Sequence, residues 1–368
     1  MLANQKMKEG YTTGSCAAAA TKAAVLAARD QFVTKVEVLS PQKYPITVPI
    51  AKAEKLENGG RAYVIKDGGD DPDITHGTEI EVTVELTNQP GITIRAGKGV
   101  GTVTKPGLSV SVGEPAVNPG PRKMIELALA ELLPPKIGAI VTISVPQGEV
   151  LAKKTLNPML GIEGGISIIG TSGIVKPMSE EAFKNSLTPQ ISVVKALGHE
   201  AVVFVPGRIG QDAAVEKLHI PLEFIVQTSN FIGHMLENAV QNGLKEVLLV
   251  GHLGKLAKVA AGIFHTHNRM ADGRLETIAA YSAALGAPQA AITAILDCTT
   301  AEAAMSVLEN YQLEKVYEVI AARASLRAER YVFNELKVGT VLITLKGEFL
   351  AADAGAKCIG GKMGWIIK

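Results

Sequence analysis

The residues best suited to chemistry begin with a loop of sequence GYTTGSC near the start of the chain. Its two threonines and its serine, Thr12, Thr13 and Ser15, carry aliphatic hydroxyl groups directly before an alanine-rich run. This run predicts a helix that starts at Cys16 and is capped by Ser15 or Thr13. Free N–H groups and the helix dipole at such a start favour an anion, for example a carboxylate or a phosphate. A Cys16 thiolate nucleophile is an alternative, but no base partner can be assigned, and a packed thiol is the simpler interpretation.

A second candidate segment combines glycines with basic residues after a predicted strand. The motif GKGVG at residues 97–101 has the glycine spacing of nucleotide-binding loops, but the sequence continues as TVTKPG and opens no helix. A dinucleotide site is therefore excluded here, because that site needs a helix start for the phosphates. A Gly- and Pro-rich stretch follows up to Arg122. Such a composition indicates a shaped loop, and loops of this kind are often functional.

Two further glycine loops each follow an apolar run. The sequence GTSG at residues 170–173 follows Ile166–Ile169, and GHLGK at residues 251–255 follows Val247–Val250. Loops at the carboxyl ends of parallel strands are the expected ligand site of an open α/β sheet, so we expect a cofactor there. The second loop resembles a Walker motif, but its glycines are too close together and Leu256 stands where Ser or Thr should bind magnesium. A phosphotransferase is excluded on that basis.

The densest polar cluster in the chain is HTHNRMADGRLE, which starts at His265. His265 and His267, with His252 and Asp272 nearby, could bind zinc, but no third ligand has a diagnostic spacing. We therefore expect no protein-bound metal. A structural role is compatible with the same residues, because His265 could stabilise a helix end and Asp272 could start the next helix.

The order of the predicted helices and strands, together with the chain length, predicts an α/β fold with two domains that position these segments. Residues 1–147 contain short β-type runs framed by two helices, which predicts an α+β domain with glycine- and proline-rich substrate loops. Residues 148–368 alternate apolar runs with amphipathic stretches, which predicts a Rossmann-like parallel-sheet domain that ends in a hairpin near residues 341–351. Its predicted buried strands are Ile166–Ile169, Ala201–Val205, Phe224–Val226, Val247–Val250 and Ala291–Leu296.

Composition narrows the function classes. The chain has 37 basic and 36 acidic residues, so the global field that nucleic acids and anionic membranes require is missing. The uncharged stretch Thr277–Leu296 is alanine-rich and interrupted by Pro288, and we expect no membrane span there. Three widely spaced cysteines argue for a reducing compartment, and the N-terminal residues lack the apolar core of a secretory signal. We therefore expect a cytoplasmic protein.

Taken together, these segments resemble the cobalt-precorrin-5B C(1)-methyltransferase family, CbiD, of anaerobic cobalamin biosynthesis. The resemblance rests on GYTTGSCAAAA from Gly10, on GKGVGTVTKPGL from Gly97, and on the segments 165–179 and 251–276. It implies methyl transfer from S-adenosylmethionine to C1 of cobalt-precorrin-5B, giving cobalt-precorrin-6A. It also implies that cobalt is carried by the tetrapyrrole substrate and is not bound by the protein.

The tetrapyrrole substrate that the resemblance implies carries acetate and propionate groups, which basic side chains, hydroxyls and N–H groups can bind. The candidate substrate-binding residues are Thr12, Thr13, Ser15, Lys98, Lys105, Arg122, Lys176, Arg269 and Arg274. The candidate cofactor-binding residues are Gly170, Thr171, Gly173, Gly251, Gly254 and Lys255, and the sequence does not decide between these two loops. The candidate proton carriers are His267 and Asp272. The segments 10–22, 97–123, 170–178 and 251–276 hold ten basic and three acidic residues, as a site for a small polycarboxylate requires.

Two other functions stay open at this point. A non-catalytic tetrapyrrole carrier of the same pathway would also need basic clamps, and it would need no catalytic dyad. A nucleotide-dependent oxidoreductase would use the glycine loops of the second domain, although neither loop has a complete fingerprint. Homo-oligomerisation and transient contact with other enzymes of the pathway also stay open.

Overall fold

The computed structural model describes residues 7–367. The chain divides into two compact units, of which the first ends at Glu180 and the second begins at Glu181. Both units combine helices with sheets, so the predicted α/β class is confirmed. No helix within the described range is long and apolar enough to cross a bilayer.

The first unit contains short strands and four helices among its described residues. Its strands are β1 (Gly10–Tyr11), β2 (Lys35–Leu39), β3 (Pro45–Pro49), β4 (Lys52–Leu56), β5 (Gly59–Ile65), β6 (Glu79–Thr87), β7 (Ile92–Ala96), β8 (Gly99–Val100), β9 (Thr102–Val103), β10 (Gly138–Ser144), β11 (Ile162–Glu163), β12 (Gly165–Ile166) and β13 (Ile174–Val175). Its helices are α1 (Thr13–Ala28), α2 (Pro119–Ala130), α3 (Gly148–Ala152) and α4 (Asn157–Leu160).

The core of the first unit lies between helix α1 and a five-stranded sheet of order β4-β5-β6-β10-β7. On β6 the alternating residues Ile80, Val82 and Val84 are fully buried, as the period of two in a strand requires. Helix α1 is alanine-rich and almost wholly buried. Small side chains allow its backbone to approach the sheet closely, and Gly60 of β5 lies where the two backbones meet.

Helix α1 begins earlier than the sequence predicts. Its first residue is Thr13, and its N-cap is Thr12, whose extended backbone lets Oγ1 accept the N–H of Ser15 at 3.1 Å. The prediction of a start at Cys16 with Ser15 or Thr13 as the cap is therefore wrong. The physical reason is that the hydroxyls of Thr13 and Ser15 are taken by a distant loop, which the local sequence cannot reveal.

The segment predicted as a strand at Ile166–Ile169 does not belong to the second sheet. Its strand is β12, which pairs in parallel with β8 of the first unit. The neighbouring strands β11 and β13 also pair within the first unit, with β9 and β1. These pairings explain why the contacts divide the chain after Glu180, although the sequence pattern changes near Gly148.

The second unit is built on a sheet of order β15-β14-β16-β17-β18. Its helices are α5 (Glu180–Leu187), α6 (Pro189–Ala196), α7 (Arg208–Glu216), α8 (Ile232–Gln241), α9 (Leu253–Ala260), α10 (Arg274–Ala284), α11 (Gln289–Leu296), α12 (Ala301–Asn310), α13 (Val316–Tyr331) and α14 (Ala354–Met363). Its strands are β14 (Ala201–Val205), β15 (Ile225–Gln227), β16 (Glu246–His252), β17 (Lys337–Ile343) and β18 (Phe349–Ala352), with a short 3-10 helix at Leu222–Phe224.

Strands β14 to β17 are parallel, and β18 closes the sheet as the antiparallel partner of β17. The predicted parallel sheet and its closing hairpin are therefore confirmed. Every residue of β14 is buried, which shows that both faces of the sheet are covered. Helices α7 and α14 contribute to the core on one of these faces.

The predicted strand at Ala291–Leu296 is wrong, because these residues lie in helix α11. Pro288 precedes the helix as its N-cap, and an apolar run of six residues fits a strand and a helix turn equally well. The place next to β16 is taken instead by β17, which pairs with β16 over its full length.

Candidate functional site

Several loops of the first unit meet at the start of helix α1. The N–H of Gly14 donates to the carbonyl of Ile169 at 2.9 Å, and the N–H of Thr12 donates to Gly173 at 3.2 Å. On the other side, the N–H of Tyr11 donates to Asp67 at 2.7 Å. The predicted loops that start at Gly10 and at Gly170 are therefore in direct contact.

The hydroxyl groups of this junction bind the protein itself. Thr13 Oγ1 donates to the Ile169 carbonyl at 3.1 Å and accepts the Ile169 N–H at 2.8 Å. Ser15 Oγ donates to the Gly173 carbonyl. Because these side chains are buried and the N–H groups of Gly14, Ser15 and Cys16 have protein partners, their observed role is to hold residues 169–173. Substrate binding by Thr12, Thr13 and Ser15 stays a prediction.

The other predicted residues of this loop sit at its outer side. Thr171 and Lys176 are exposed. Gly170 lies against Thr12, and Gly173 has a φ of +79°, a left-handed conformation in which a Cβ would lie 2.5 Å from Ile46. This loop does not follow a strand of the parallel sheet, so it lacks the setting on which its predicted cofactor role rests.

Arg122 lines an open groove of about 510 Å³ in the first unit. Its Nε donates to the Val117 carbonyl at 2.8 Å, and its Nη2 lies 3.3 Å from Glu114 Oε2. Lys98 is exposed and does not line the groove, and Lys105 extends to the Met159 carbonyl at 3.5 Å. Among the three basic residues predicted between positions 97 and 122, only Arg122 therefore faces this groove.

The second unit places the loop of Gly251 and Gly254 at a topological switch point. The chain leaves β14 toward β15 on one side, and it later returns through β16 on the other side of β14. Ligands of open α/β sheets bind outside the carboxyl ends of the strands at such a point. A Cβ on Gly251 would lie 3.1 Å from Pro206, so the residues that follow β14 and end β16 are close neighbours.

Polar side chains frame this edge of the sheet. Lys255 Nζ donates to Asn230 Oδ1 at 2.7 Å, and the Asn230 carbonyl accepts the N–H of Thr266 at 2.9 Å. Because Asn230 follows β15 and Lys255 follows β16, their bond crosses the end of β14. Gln227, the last residue of β15, donates to Gln211 Oε1 at 2.7 Å. Burial, followed by the charge of neighbouring Lys258, lowers the pKa of Lys255.

His252 fixes the start of helix α9 in the same loop. Its Nδ1 accepts the N–H of Gly254 at 3.1 Å, and its Nε2 is in contact with Glu302 Oε1. Burial lowers the pKa of His252, and the Glu302 carboxylate acts against this shift. An imidazole that accepts at Nδ1 carries its proton at Nε2, which is the tautomer suited to Glu302.

The polar segment from His265 to Glu276 is organised by a lysine that the sequence analysis missed. Lys258 is 1% exposed, and its Nζ donates to Asn268 Oδ1 at 2.6 Å and to the Ala271 carbonyl at 3.0 Å. The carboxylate of Asp272 lies 3.8 Å from the same nitrogen. The only signal in the sequence is a lysine on the apolar face of a predicted helix.

The segment that Lys258 contacts includes both predicted proton carriers. His267 is exposed, and its Nδ1 accepts the N–H of Arg269 at 3.2 Å. Asp272 lies 3.3 Å from Arg274 Nε, and Arg274 also donates to the Thr299 carbonyl. The side chain of Arg269 is exposed. These four predicted residues therefore lie on the one segment that Lys258 contacts. Within residues 7–367, no group of three acidic, histidine or cysteine side chains could hold a metal.

Comparison with known proteins identifies the family. Residues 1–177 match the family model for CbiD, and residues 265–354 match the model for the CbiD C-terminal domain. The cobalt-precorrin-5B C(1)-methyltransferase of Moorella thermoacetica is 50% identical over 98% of this chain and 99% of that protein. The chain belongs to the CbiD family. A protein of the same name from Desulfitobacterium hafniense is 46% identical over 96% of this chain and 92% of its own length.

A solved CbiD structure, the cobalamin biosynthesis protein from Archaeoglobus fulgidus, is 29% identical. The match covers 72% of this chain and 83% of that chain, with a TM-score of 0.39. The two CbiD family models together include the junction at α1 and the segment held by Lys258. The loop of Gly251 lies between the two matched regions.

One polar segment of this CbiD chain escaped the sequence analysis. The sequence DGGDDPDITH, from Asp67 to His76, has four aspartates and a histidine within ten residues, a density that could have marked it. It borders the α1 junction, because Asp71 Oδ1 accepts the N–H of Met178 at 2.9 Å and Asp67 binds Lys8 at 2.5 Å. His76 Nδ1 accepts the N–H of Gly68 at 3.0 Å.

The segment is anchored by an ion pair whose loss should be measurable. Lys66 is 1% exposed, and its Nζ lies 2.5 Å from Asp73 Oδ2. Burial acts to raise the pKa of Asp73, but hydrogen bonds from Lys66 and Thr75 outweigh it and hold the pKa below its usual value. We expect Asp73→Asn to lower the free energy of unfolding of the first unit by about 2 kcal/mol, because a buried cation loses its partner.

The pH dependence of stability gives a second readout of this pair. The folded-state pKa of Asp73 lies below the unfolded-state value of about 4, so the pair stabilises fully above that pH. The stabilisation is lost as the pH falls through the folded-state pKa. Urea unfolding at pH 7 and pH 3 should show a smaller difference between wild type and Asp73→Asn at pH 3, and an equal difference at both values would contradict the assignment.

The environment of Cys16 makes its thiol unreactive. The side chain is fully buried, and burial raises its pKa to about 12. A nucleophilic thiolate at this position, considered from the sequence, is therefore excluded near neutral pH. We expect native protein treated with iodoacetamide at pH 8 to be modified at the exposed Cys358 and not at Cys16, as measured by peptide mass spectrometry. Modification of Cys16 at the rate of the unfolded protein would contradict this.

Proposed function

We propose that this chain transfers a methyl group from S-adenosylmethionine to C1 of cobalt-precorrin-5B, giving cobalt-precorrin-6A in cobalamin biosynthesis. The observation that carries the proposal is the 50% identity, over nearly the full length of both chains, to a protein named cobalt-precorrin-5B C(1)-methyltransferase. The carrier and oxidoreductase alternatives have no comparable support. The reaction mainly requires alignment of the reacting atoms and exclusion of water, so shaped loops can serve it without a nucleophilic side chain.

We assign the methyl donor to the carboxyl edge of the second sheet and not to the loop at Gly170. The switch point between β14 and β16 supports this choice, because the Gly251 loop ends a parallel strand and the Gly170 loop does not. A Cβ at Gly207, two residues after the end of β14, would have no atom within 4 Å, so the edge is open at this point. When bound, S-adenosylmethionine supplies an electrophilic methyl group on a sulfonium.

The residues at this edge suit the polar groups of such a donor. Lys255 can pair with a carboxylate, and Asn230 and Gln227 offer amide donors and acceptors to hydroxyl groups. Gly251 and Gly254 allow the backbone to approach a ligand closely. His252 holds these two glycines in place through its contacts with α9 and Glu302.

Basic side chains within each unit are the candidates for binding substrate carboxylates. The proposed set is Lys98, Lys105, Arg122, Lys176, Arg269 and Arg274. Thr12, Thr13 and Ser15 support the loop at 169–173 and reach the substrate only through it. His267 is the better candidate proton carrier, because its Nδ1 is occupied by a backbone N–H and its exposed ring leaves Nε2 available. Asp272 is engaged by Arg274, so its proposed role is to orient the segment.

The setting of the reaction follows from the same proposal. The three cysteines are free thiols, which suits the reducing cytoplasm. The chain has nearly equal numbers of basic and acidic residues, and this balance does not favour a nucleic acid partner. Homo-oligomerisation and contact with other pathway enzymes stay predictions.

The central test is incubation with cobalt-precorrin-5B and methyl-labelled S-adenosylmethionine under reducing, anaerobic conditions. We expect the label in the macrocycle and a mass gain of one methyl group at C1. Binding of the tetrapyrrole without transfer would favour the carrier and overturn the proposal. Tight binding of NAD(P) without binding of S-adenosylhomocysteine would favour the oxidoreductase.

The donor site is tested by Lys255→Met. We expect the Kd for S-adenosylhomocysteine, measured by calorimetry, to rise about tenfold, because one charge-assisted hydrogen bond is lost. The matched control is Lys245→Met, since Lys245 is exposed and precedes the other end of β16. Equal affinities for the wild type and Lys255→Met would place the donor elsewhere.

A further inference from the structure

We propose that Arg95 and Arg122 form a carboxylate-binding groove along the open edge of strand β7, and that this groove takes acidic side arms of the tetrapyrrole. We call it the β7 groove. The inference rests on the proposed function for the identity of the ligand. It adds a substrate-binding residue, Arg95, that lies outside the motifs of the sequence analysis.

The position of β7 creates the groove. In the five-stranded sheet of the first unit, β7 pairs with β10 on one side and is the last strand on the other. A cavity of about 510 Å³ runs beside this edge, a volume typical of small-molecule sites. It is lined by Ile92–Ala96, Thr102, Gly113, Glu114, Pro115 and Arg122.

Arg95 is a free cation in this groove. Its neighbours Ile94 and Ala96 pack against the hydrophobic core, so by the alternation of a strand the Arg95 side chain leaves from the opposite face. It is exposed and lines the cavity. Within residues 7–367 its guanidinium makes neither an ion pair nor a hydrogen bond with protein. An arginine without a protein partner on a concave surface is available to an anionic ligand.

Arg122 is held in position by the loop that closes the groove. Its Nε and Nη2 donate to the carbonyls of Val117 and Pro115 at 2.8 and 3.3 Å. Because these carbonyls are uncharged, they hold the guanidinium in position without neutralising its positive charge. Glu114 Oε2 lies 3.3 Å from Arg122 Nη2, and the lining holds two arginines and one glutamate, a formal net charge of about +1.

The chemistry of the lining points to carboxylates. Guanidinium groups bind carboxylates through two parallel hydrogen bonds, and Thr93 and Thr102 add hydroxyl donors beside them. The unpaired edge of β7 offers further backbone groups. A flexible acetate or propionate arm can enter such an open groove without the macrocycle being enclosed.

The test is Arg95→Met, which keeps the aliphatic length and removes the charge. We expect the KM for cobalt-precorrin-5B to rise about tenfold with kcat and the Kd for S-adenosylhomocysteine unchanged. Arg95→Lys should recover part of the loss. Lys123→Met is the matched control, because Lys123 follows Arg122 directly, is 57% exposed and does not line the groove. An unchanged KM in Arg95→Met would overturn the proposal and leave the methyltransferase function intact.

A binding experiment separates the groove from the reaction. Calorimetry with cobyrinic acid, a corrinoid with free carboxylates, and with its methyl-esterified form needs no turnover. Weaker binding of the acid to Arg95→Met than to wild type supports the groove even if methyl transfer fails. The same affinity of both proteins for the acid, or tight wild-type binding of the ester, overturns the groove.

Discussion

Replacing Lys258 by methionine is expected to lower both the stability of the second unit and the rate of methyl transfer. Lys258 Nζ is buried. It donates hydrogen bonds to Asn268 Oδ1 and to the Ala271 carbonyl, and it lies 3.8 Å from the carboxylate of Asp272. Methionine keeps the apolar stem and removes every one of these contacts. We expect the free energy of unfolding to fall by about 3 kcal/mol, because hydrogen bonds from a charged donor each contribute about 1.5–3 kcal/mol. We also expect kcat to fall at least tenfold, because the segment that bears His267 loses its anchor.

The chain contains one tryptophan, Trp365, which lies in the core of the second unit. Its fluorescence during urea unfolding therefore reports on the unit that contains Lys258. Lys315→Met is a suitable control, since Lys315 is exposed and its side chain makes no hydrogen bond or ion pair within residues 7–367. If Lys258→Met unfolds at the same urea concentration as Lys315→Met, Lys258 is not the anchor of the segment.

Gly60→Ala is expected to cause a large loss of stability in the first unit. A Cβ at Gly60 would lie 2.0 Å from the carbonyl oxygen of Ala24 and 3.1 Å from the backbone nitrogen of Ala28. Both atoms belong to the backbone of α1, so no side chain can rotate away. The helix must move off the sheet, and we expect a cost of about 4 kcal/mol.

The matched control for Gly60→Ala is a glycine with free space. Gly361 lies in helix α14, and a Cβ there has no atom within 4 Å. Because alanine is the better helix former, Gly361→Ala should be neutral or stabilising by up to about 1 kcal/mol. Far-UV circular dichroism is the suitable measurement, since Trp365 does not report on the first unit. A Gly60→Ala variant with wild-type thermal stability would contradict the close contact of α1 with β5.

The candidate site shows how far local patterns reach. Glycine loops, a polar cluster and the hydroxyls near residue 12 were visible in the sequence, and the structure does bring the loops at Gly10 and Gly170 into contact. Their hydroxyls, however, bind loop carbonyls. Lys258 and Arg95 were missed because their roles depend on tertiary contacts. Lys258 is important because the fold surrounds it with polar partners, and Arg95 is important because the fold gives its guanidinium no partner among the described residues.

The sequence by itself determined the α/β class, the alanine-rich first helix, the buried strands near 201–205, 224–226 and 247–250, and the CbiD resemblance, which the comparisons confirm. These properties depend on propensity, on local periodicity and on runs of specific residues. The tertiary structure alone decided that Ile166 pairs with β8, that Ala291–Leu296 is helical, and that Arg95 and Arg122 share one groove. Strand pairing, burial and convergence of side chains depend on contacts between residues far apart in the chain. A local pattern contains no information on which distant segment will provide them.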